Sequence, residues 1–418
     1  MRTIARRTTV VVVGGGQAGL ATSRCLSDRG IDHVVLERGR VAERWRSERW
    51  DSLRLLTPRW QSRLPGWRHG GAEPDGFMSM PEITGYLTDY ARSFDAPVST
   101  GTTVQSVEPD DGGYRVRTDA GTWRARAVVL ATGQCDVPHV PAVATHLDRG
   151  VRQIVPSRYR RPDALEPGGV LVVGASASGV QLAHEIHRSG RRVTLAVGRH
   201  VRLPRRYLGR DVLWWLDRMG IFDQRLDELP DPAASLRQPS MQLVGRTDHA
   251  SVDLATLQDA GVRLVGRVEA IEDRSVRLSN DLERTSRDAD ARLDRLLDRI
   301  DAFARSRGIA DVGSDTRPAR VRPAPAPEHL DLRAEGIRTV LWATGYRRRY
   351  PWLRVPVLDA RGEIRHRGGI TAAPGLYVIG LFFLRKRKSS FIDGVGDDAR
   401  ELTAHLAAHL RGHDQRAA

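Results

Sequence analysis

The chain has only two cysteines, Cys25 and Cys135, and only two lysines, Lys386 and Lys388, in 418 residues. The cysteines form no C-x-x-C or similar pair, which excludes the dithiol chemistry of redox-active disulfide enzymes. Cys25 falls in an expected helix, where a small buried thiol is inert. With lysine nearly absent, the formal charge of +15 rests on scattered arginines, a pattern that codon bias explains. No basic run is interleaved with stacking aromatics, so no nucleic-acid partner is expected. No apolar stretch reaches the roughly 20 residues needed to span a bilayer, so no membrane span is expected. The start, Arg6-Arg7-Thr8-Thr9 followed by valines, imitates an export signal. Its apolar run ends in a glycine-rich turn that cleavage would destroy, so the expected location is cytoplasmic. No metal site is assigned.

What is present is a pair of glycine-rich turns, one domain-length apart. The first follows Val10-Val11-Val12-Val13 and reads Gly14-Gly15-Gly16-Gln17-Ala18-Gly19, with Glu37 closing the next strand, His33-Val34-Val35-Leu36. The second follows Val170-Leu171-Val172-Val173 and reads Gly174-Ala175-Ser176-Ala177-Ser178-Gly179, with Val193-Thr194-Leu195-Ala196-Val197 as its second strand. In such a unit glycine permits the tight turn and lets backbone N–H groups at a helix N-terminus approach a pyrophosphate. The units differ at the end of the second strand. Glu37 can accept both hydroxyls of an unmodified ribose, as in FAD or NAD. The second unit has Arg199 there, followed by Arg202, Arg205 and Arg206, which suit a 2′-phosphate. FAD is therefore expected at the first turn and NADPH at the second.

Ser79 and Glu82 form an expected capping box, with Pro81 in the first turn of a helix to about Phe94. Alternating stretches around Val104, Tyr114 to Arg117 and Trp123 to Leu130 read as an antiparallel meander. It ends in Ala131-Thr132-Gly133. Further strands are expected at Val262 to Val265, Val268 to Ile271 and Val276 to Leu278. An amphipathic helix over about 286–308 places Leu293, Leu296, Leu297, Ile300 and Phe303 on one face. It suits packing on its own domain, a cap over a substrate entrance or a dimer contact. Residues 311–328 read as a linker. The chain then repeats an apolar strand with Ala343-Thr344-Gly345 and continues to Gly375-Leu376-Tyr377-Val378-Ile379-Gly380. The expected fold is α/β with two Rossmann-like dinucleotide-binding domains, the NADPH domain inserted in a discontinuous FAD domain. The expected boundaries are 1–165 and 336–418 for the FAD domain and 166–335 for the NADPH domain.

Together these features resemble the class B flavin-dependent monooxygenases, which include flavin-containing monooxygenases, plant indole-pyruvate monooxygenases and Baeyer–Villiger enzymes. The resemblance is carried also by Glu48-Arg49-Trp50-Asp51-Ser52-Leu53 and by Lys388-Ser389-Ser390-Phe391-Ile392-Asp393-Gly394-Val395-Gly396-Asp397. It implies FAD contacts at Gly14, Gly16, Gln17, Gly19, Glu37, Arg44, Trp45, Val104, Ala131, Thr132, Gly133 and Gly380. Asp397 is expected to cap a helix to about Leu410 that faces the flavin. On the NADPH side it implies Gly174, Ser176, Ser178, Gly179, Arg199, Arg202, Thr344 and Gly345. The implied activity is NADPH-dependent monooxygenation of a small organic substrate with O2 through a C4a-peroxyflavin. N- or S-oxygenation or oxidative decarboxylation is favoured over Baeyer–Villiger chemistry.

The chain departs from that family at two places. Val155 stands near the family's usual histidine, and leucine replaces its asparagine in Leu53-Arg54-Leu55-Leu56-Thr57-Pro58. Thr57 is a candidate substitute hydrogen-bond donor and also suits a turn residue before proline. These departures keep open an NADPH oxidase or flavin electron-transfer reductase. The amphipathic helix keeps open a third reading, a non-enzymatic nucleotide-binding redox sensor or interaction protein that uses it as a partner surface. Monomer and homodimer both remain open.

Overall fold

The computed structural model describes residues 5–309 and 317–417. Two parallel sheets organise the chain. The five strands of the parallel core of the first lie in the order Leu376–Val378, Gly121–Leu130, Arg6–Val13, His33–Leu36, Val98–Ser99, and the short strands Ile370–Thr371 and His366–Arg367 continue its edge. Val10 to Val13 are buried on both faces, which is why this strand reads as an unbroken apolar run. Gly121–Leu130 is shared between two arrangements. Its first half pairs antiparallel with Gly113–Thr118, which pairs antiparallel with Val104–Asp110. Its second half pairs parallel with the Val10–Val13 end. The expected meander and its return to the parallel sheet are both present.

The second sheet is five parallel strands in the order Arg152–Ile154, Ile337–Trp342, Gly169–Val173, Val193–Ala196, Arg263–Val265. Its register repeats the first: Val13 lies opposite Leu36, and Val173 opposite Ala196. The chain passes between the sheets twice, after Leu130 and after Trp342. The two passages touch, because Val137–Pro138 and Tyr346–Arg347 pair antiparallel and the His139 N–H donates to Gly345 O at 2.8 Å.

The helix Met80–Arg92 starts in the capping box read from the sequence, with the Ser79 N–H donating to Glu82 Oε2 at 2.7 Å. The amphipathic helix runs Leu282–Ser306. It buries Leu293, Leu297, Ile300 and Ala304 against Leu213, Trp215 and Phe222, so it packs on its own half. Residues 317–320 lie along it, with Arg317 on Asp298 at 2.7 Å and Arg320 on Asp294 at 3.0 Å. Residues 311–316 of the expected linker lie outside the described residues, and Val321 within it is buried. Among the described residues no helix is long and apolar enough to cross a membrane.

Candidate functional site

The glycines of the first turn do three different things. Gly14 has φ +112° and a Cβ there would stand 2.6 Å from Ala131 O, so the turn closes directly on the first Ala-Thr-Gly segment. A Cβ on Gly19 would stand 1.8 Å from Gly14 O, so this glycine lets the helix Gln17–Ser27 pack onto the turn. Gly16 has φ −88° and ψ −173°, which any residue adopts, and nothing lies within 4 Å of where its Cβ would be. Its side-chain space is left open at a helix N-terminus, which is what an approaching phosphate requires.

That space belongs to a cavity of about 350 Å³. Gly14, Gly16, Gln17, Glu37, Arg44, Trp45, Val104, Ala131, Thr132, Gly133 and Gly380 all line it. Gly19 stands behind Gly14, one turn into the helix. The Glu37 carboxylate is fixed by two backbone donors, the Gly15 N–H on Oε2 at 2.6 Å and the Gly39 N–H on Oε1 at 2.9 Å. Trp45 Nε1–H donates to Gln17 Oε1 at 3.4 Å and carries the Arg49 guanidinium 5.3 Å from its ring centre. Arg44 reaches across to the Cys135 carbonyl and the Asp136 carboxylate. Burial pushes the Cys135 thiol up, against the pull of Arg49 and Arg44, which keeps it protonated and weakly nucleophilic.

The second turn repeats this geometry. Gly174 has φ +105° and its Cβ would stand 2.5 Å from Ala343 O; that of Gly179 would stand 1.8 Å from Gly174 O. Ser176 has φ −84° and ψ −171°, within a few degrees of Gly16. Ser178 is half-buried in the helix Ala177–Arg188. Gln242 Nε2–H braces the turn at Ala175 O, 2.6 Å away. Thr344 Oγ1–H donates to His139 O, so Thr344 and Gly345 join the paired passages between the sheets.

The arginines after the second strand separate sharply. Arg199 lines a cavity of about 410 Å³ with Arg267, Arg284 and Arg292, the last two supplied by the long helix, and with the carboxylates of Asp281 and Asp288, the first of which pairs with Arg284 at 2.9 Å. Arg202 does not reach it. Its side chain is 2% exposed and is divided between Asp253 at 2.7 Å and Asp290 at 2.6 Å, so its charge is spent inside the fold and the expectation of a phosphate contact is corrected. Arg205 is also turned inward, onto Asp211 Oδ1 at 2.5 Å and Leu56 O at 2.8 Å.

The model of the pyridine nucleotide-disulphide oxidoreductase family matches residues 11–217. An oxidoreductase described as CzcO-like from Geobacillus kaustophilus is 31% identical over 404 residues, covering 96% of this chain and 98% of that one. The chain belongs to the class B flavin monooxygenase and FAD/NAD(P)H oxidoreductase family. An indole-3-pyruvate monooxygenase from Oryza sativa is 29% identical over 390 residues, covering 89% of this chain and 86% of the relative. The flavin-containing monooxygenase from Stenotrophomonas maltophilia shares the fold, with a TM-score of 0.65 at 19% identity and coverage of 97% and 99%. The chain is thus an oxidoreductase of this flavin-dependent type, on an α/β FAD/NAD(P)-binding fold.

Within this family frame two further expectations change. Asp397 is not a cap: the C-terminal helix spans Ile392–Ala417, so Asp397 sits in its second turn, paired with Arg400 at 2.8 Å and Lys386 at 3.2 Å. Two glycines lie in the first two turns of that helix, in close contact with neighbouring residues. A Cβ on Gly394 would stand 1.9 Å from Lys388 O, and one on Gly396 would stand 3.2 Å from the Pro65 ring. Thr57 is not among the residues lining the first cavity. Ser390 and Trp352, absent from the sequence expectations, do line it. The signal for Ser390 was its place in the segment Lys388 to Asp397; nothing local marked Trp352.

Proposed function

We propose that the chain is an NADPH-dependent FAD monooxygenase that inserts one oxygen atom of O2 into a small organic substrate. N- or S-oxygenation or oxidative decarboxylation is favoured over Baeyer–Villiger chemistry. The observation that carries this reading is the inequality of two otherwise matching turns: a fixed carboxylate, Glu37, at one, and an arginine-lined cavity around Arg199 at the other. The donor sets fit the two cofactors. Gly14, Gly16 and Glu37 would hold the FAD pyrophosphate and ribose, with Arg44, Trp45 and Gly380 further along the cavity. Gly174, Ser176 and Gly179 would hold the NADPH pyrophosphate, and Arg199 its 2′-phosphate, with Arg267, Arg284 and Arg292 around it outnumbering Asp281 and Asp288. On this reading an NADPH domain is inserted between the two parts of an FAD domain, and because Arg152–Ile154 and Ile337–Trp342 are strands of the second sheet, its limits lie at the paired passages near 137 and 346 rather than at the expected 166 and 335.

When bound, the flavin supplies the redox chemistry, taking hydride from NADPH and activating O2 at C4a. The chain's own task is to bind, orient and exclude water. Named relatives that are monooxygenases support the oxygen-inserting outcome. The test is anaerobic reduction of the FAD-bound protein by NADPH and by NADH, then mixing with oxygenated buffer and a panel of amines, sulfides and 2-oxo acids. NADPH preference with an oxygenated product supports the proposal, and NADPH consumption yielding only hydrogen peroxide refutes it. That second outcome is the NADPH oxidase or electron-transfer reading, favoured by one observation: the loop that should supply a polar side chain offers Thr57, outside the cavity lining.

A further inference from the structure

Of 66 lysine and arginine residues only two are lysines, and they stand at 386 and 388. A chain that uses arginine at every other cationic position keeps lysine at one place. Both ammonium groups converge on one oxygen, with Lys386 Nζ and Lys388 Nζ each 3.1 Å from Asp223 Oδ1. Each also has a second carboxylate: Asp397 Oδ2 lies 3.2 Å from Lys386 Nζ, and Asp393 Oδ2 lies 3.7 Å from Lys388 Nζ. The inner part of the cluster is enclosed, with the Lys388 side chain 11% and that of Asp393 5% exposed.

The two cations differ in size and in how they present their donors. A guanidinium is a broad planar fork, which in this chain also divides between two carboxylates, as Arg202 does. An ammonium is compact, with three donors on a flexible stem, so two of them meet at one oxygen of Asp223 inside an enclosed cluster.

The place of the cluster gives it a consequence. Asp223 follows the helix Val212–Arg218 in the half built on the second sheet, whereas Asp393 and Asp397 belong to the helix Ile392–Ala417, which packs into the core of the first. Backbone bonds run beside the ion pairs: the Arg387 N–H donates to Gln224 O at 3.1 Å, the Lys388 N–H to Phe222 O at 3.2 Å and the Leu226 N–H to Arg385 O at 3.0 Å. The Phe222 and Phe391 rings meet edge to face at 5.6 Å. Between these fastenings stands Ser390, which lines the first cavity.

We propose that Lys386 and Lys388 are positioning residues that fasten the strap 385–391 to Asp223 of the other half and thereby set Ser390 and the start of the Ile392–Ala417 helix against the flavin. The flavin part rests on the reading of the first cavity as the FAD site. The test uses the full chain with Asp223→Asn, which lies outside the cavity, and with the charge-preserving pair Lys386→Arg and Lys388→Arg. Hydrogen exchange of the Arg387 and Lys388 amides, measured without cofactor, should speed up about tenfold in both variants. In FAD titrations the dissociation constant should rise about fivefold as pre-organisation is lost, with a changed visible absorbance envelope. Melting curves confirm that each variant is folded. Exchange equal to wild type in either folded variant overturns the clamp. Faster exchange with FAD affinity and spectrum unchanged overturns the positioning role. If wild type binds no FAD, the cavity reading and the flavin part fall together, while the exchange result still decides whether the lysines join the halves.

Discussion

Replacing Gly16 by alanine separates what the first turn needs in order to fold from what it needs in order to bind. The backbone at Gly16 is already in a region open to any residue, and its Cβ would meet no atom within 4 Å. The second turn demonstrates the tolerance, since Ser176 holds the same conformation with a side chain. The unliganded Gly16→Ala protein should therefore match wild type within about 0.5 kcal/mol. The methyl group instead stands where a pyrophosphate must approach the N–H groups. Weakening one or two such hydrogen bonds costs about 2 kcal/mol, a roughly thirtyfold loss of FAD affinity. At FAD a hundredfold above the wild-type dissociation constant, binding stabilises wild type by about 2.7 kcal/mol and the variant by only about 0.9 kcal/mol. Urea denaturation with and without FAD measures both quantities. Gly19→Ala is the contrast, because its Cβ at 1.8 Å from Gly14 O forces helix and turn apart and should cost about 3 kcal/mol without any ligand. A Gly16→Ala protein that binds FAD as tightly as wild type would refute the argument that this open space is a phosphate seat.

Four other outcomes are expected. Arg199→Ala should raise the KM for NADPH by about tenfold to a hundredfold and leave that for NADH nearly unchanged, as charge-assisted bonds to a phosphate are lost; steady-state kinetics with both nucleotides decides this. Arg202→Ala should instead destabilise the fold by about 3–5 kcal/mol, because Asp253 and Asp290 are left buried without their cation; denaturant melts show it. Burial pushes the Asp398 carboxyl up to about 7, against the Ser389 hydroxyl and Arg385, with Glu401 and Asp397 adding to the rise. The folded chain therefore keeps a proton that the unfolded chain releases near pH 4, so stability from this group falls as pH climbs from about 4 to 7 and is level above. Relative to Asp398→Asn, wild type should lose about 3–4 kcal/mol across that window, and parallel stability curves would contradict the assignment. Neither thiol should react with iodoacetamide at pH 7.5 before unfolding, since burial raises Cys25 to about 11 and also raises Cys135; mass spectrometry of alkylated native protein checks this.

The features legible in the sequence were those whose causes are local. Valine runs ending in glycine gave both turns, the Ser79 and Glu82 spacing gave a helix start, and the acid at 37 against the arginine at 199 marked the difference between the units. What was not legible depends on partners distant in the chain. Arg202 looked like its neighbour Arg199 until the fold brought it Asp253 and Asp290, which lie 51 and 88 positions on. Arg284 and Arg292 were visible only as the polar side of an amphipathic helix; their convergence on Arg199 needs the helix to be docked. The C-terminal helix starts at Ile392 rather than at Asp397 and includes Gly394, a poor helix former whose place there depends on its close approach to Lys388 O, a contact no local pattern reveals.

The two passages between the sheets are hydrogen-bonded to each other through Val137–Pro138 and Tyr346–Arg347. Two independent tethers would let the halves swivel and tilt in any direction. A ribbon of two paired strands resists shear along its length, so the two passages act as one connection rather than as two. Each passage begins at the Ala-Thr-Gly segment whose alanine carbonyl touches the first glycine of a nucleotide turn. The pairing therefore holds the two turns in one common frame, with a single stiff link between them.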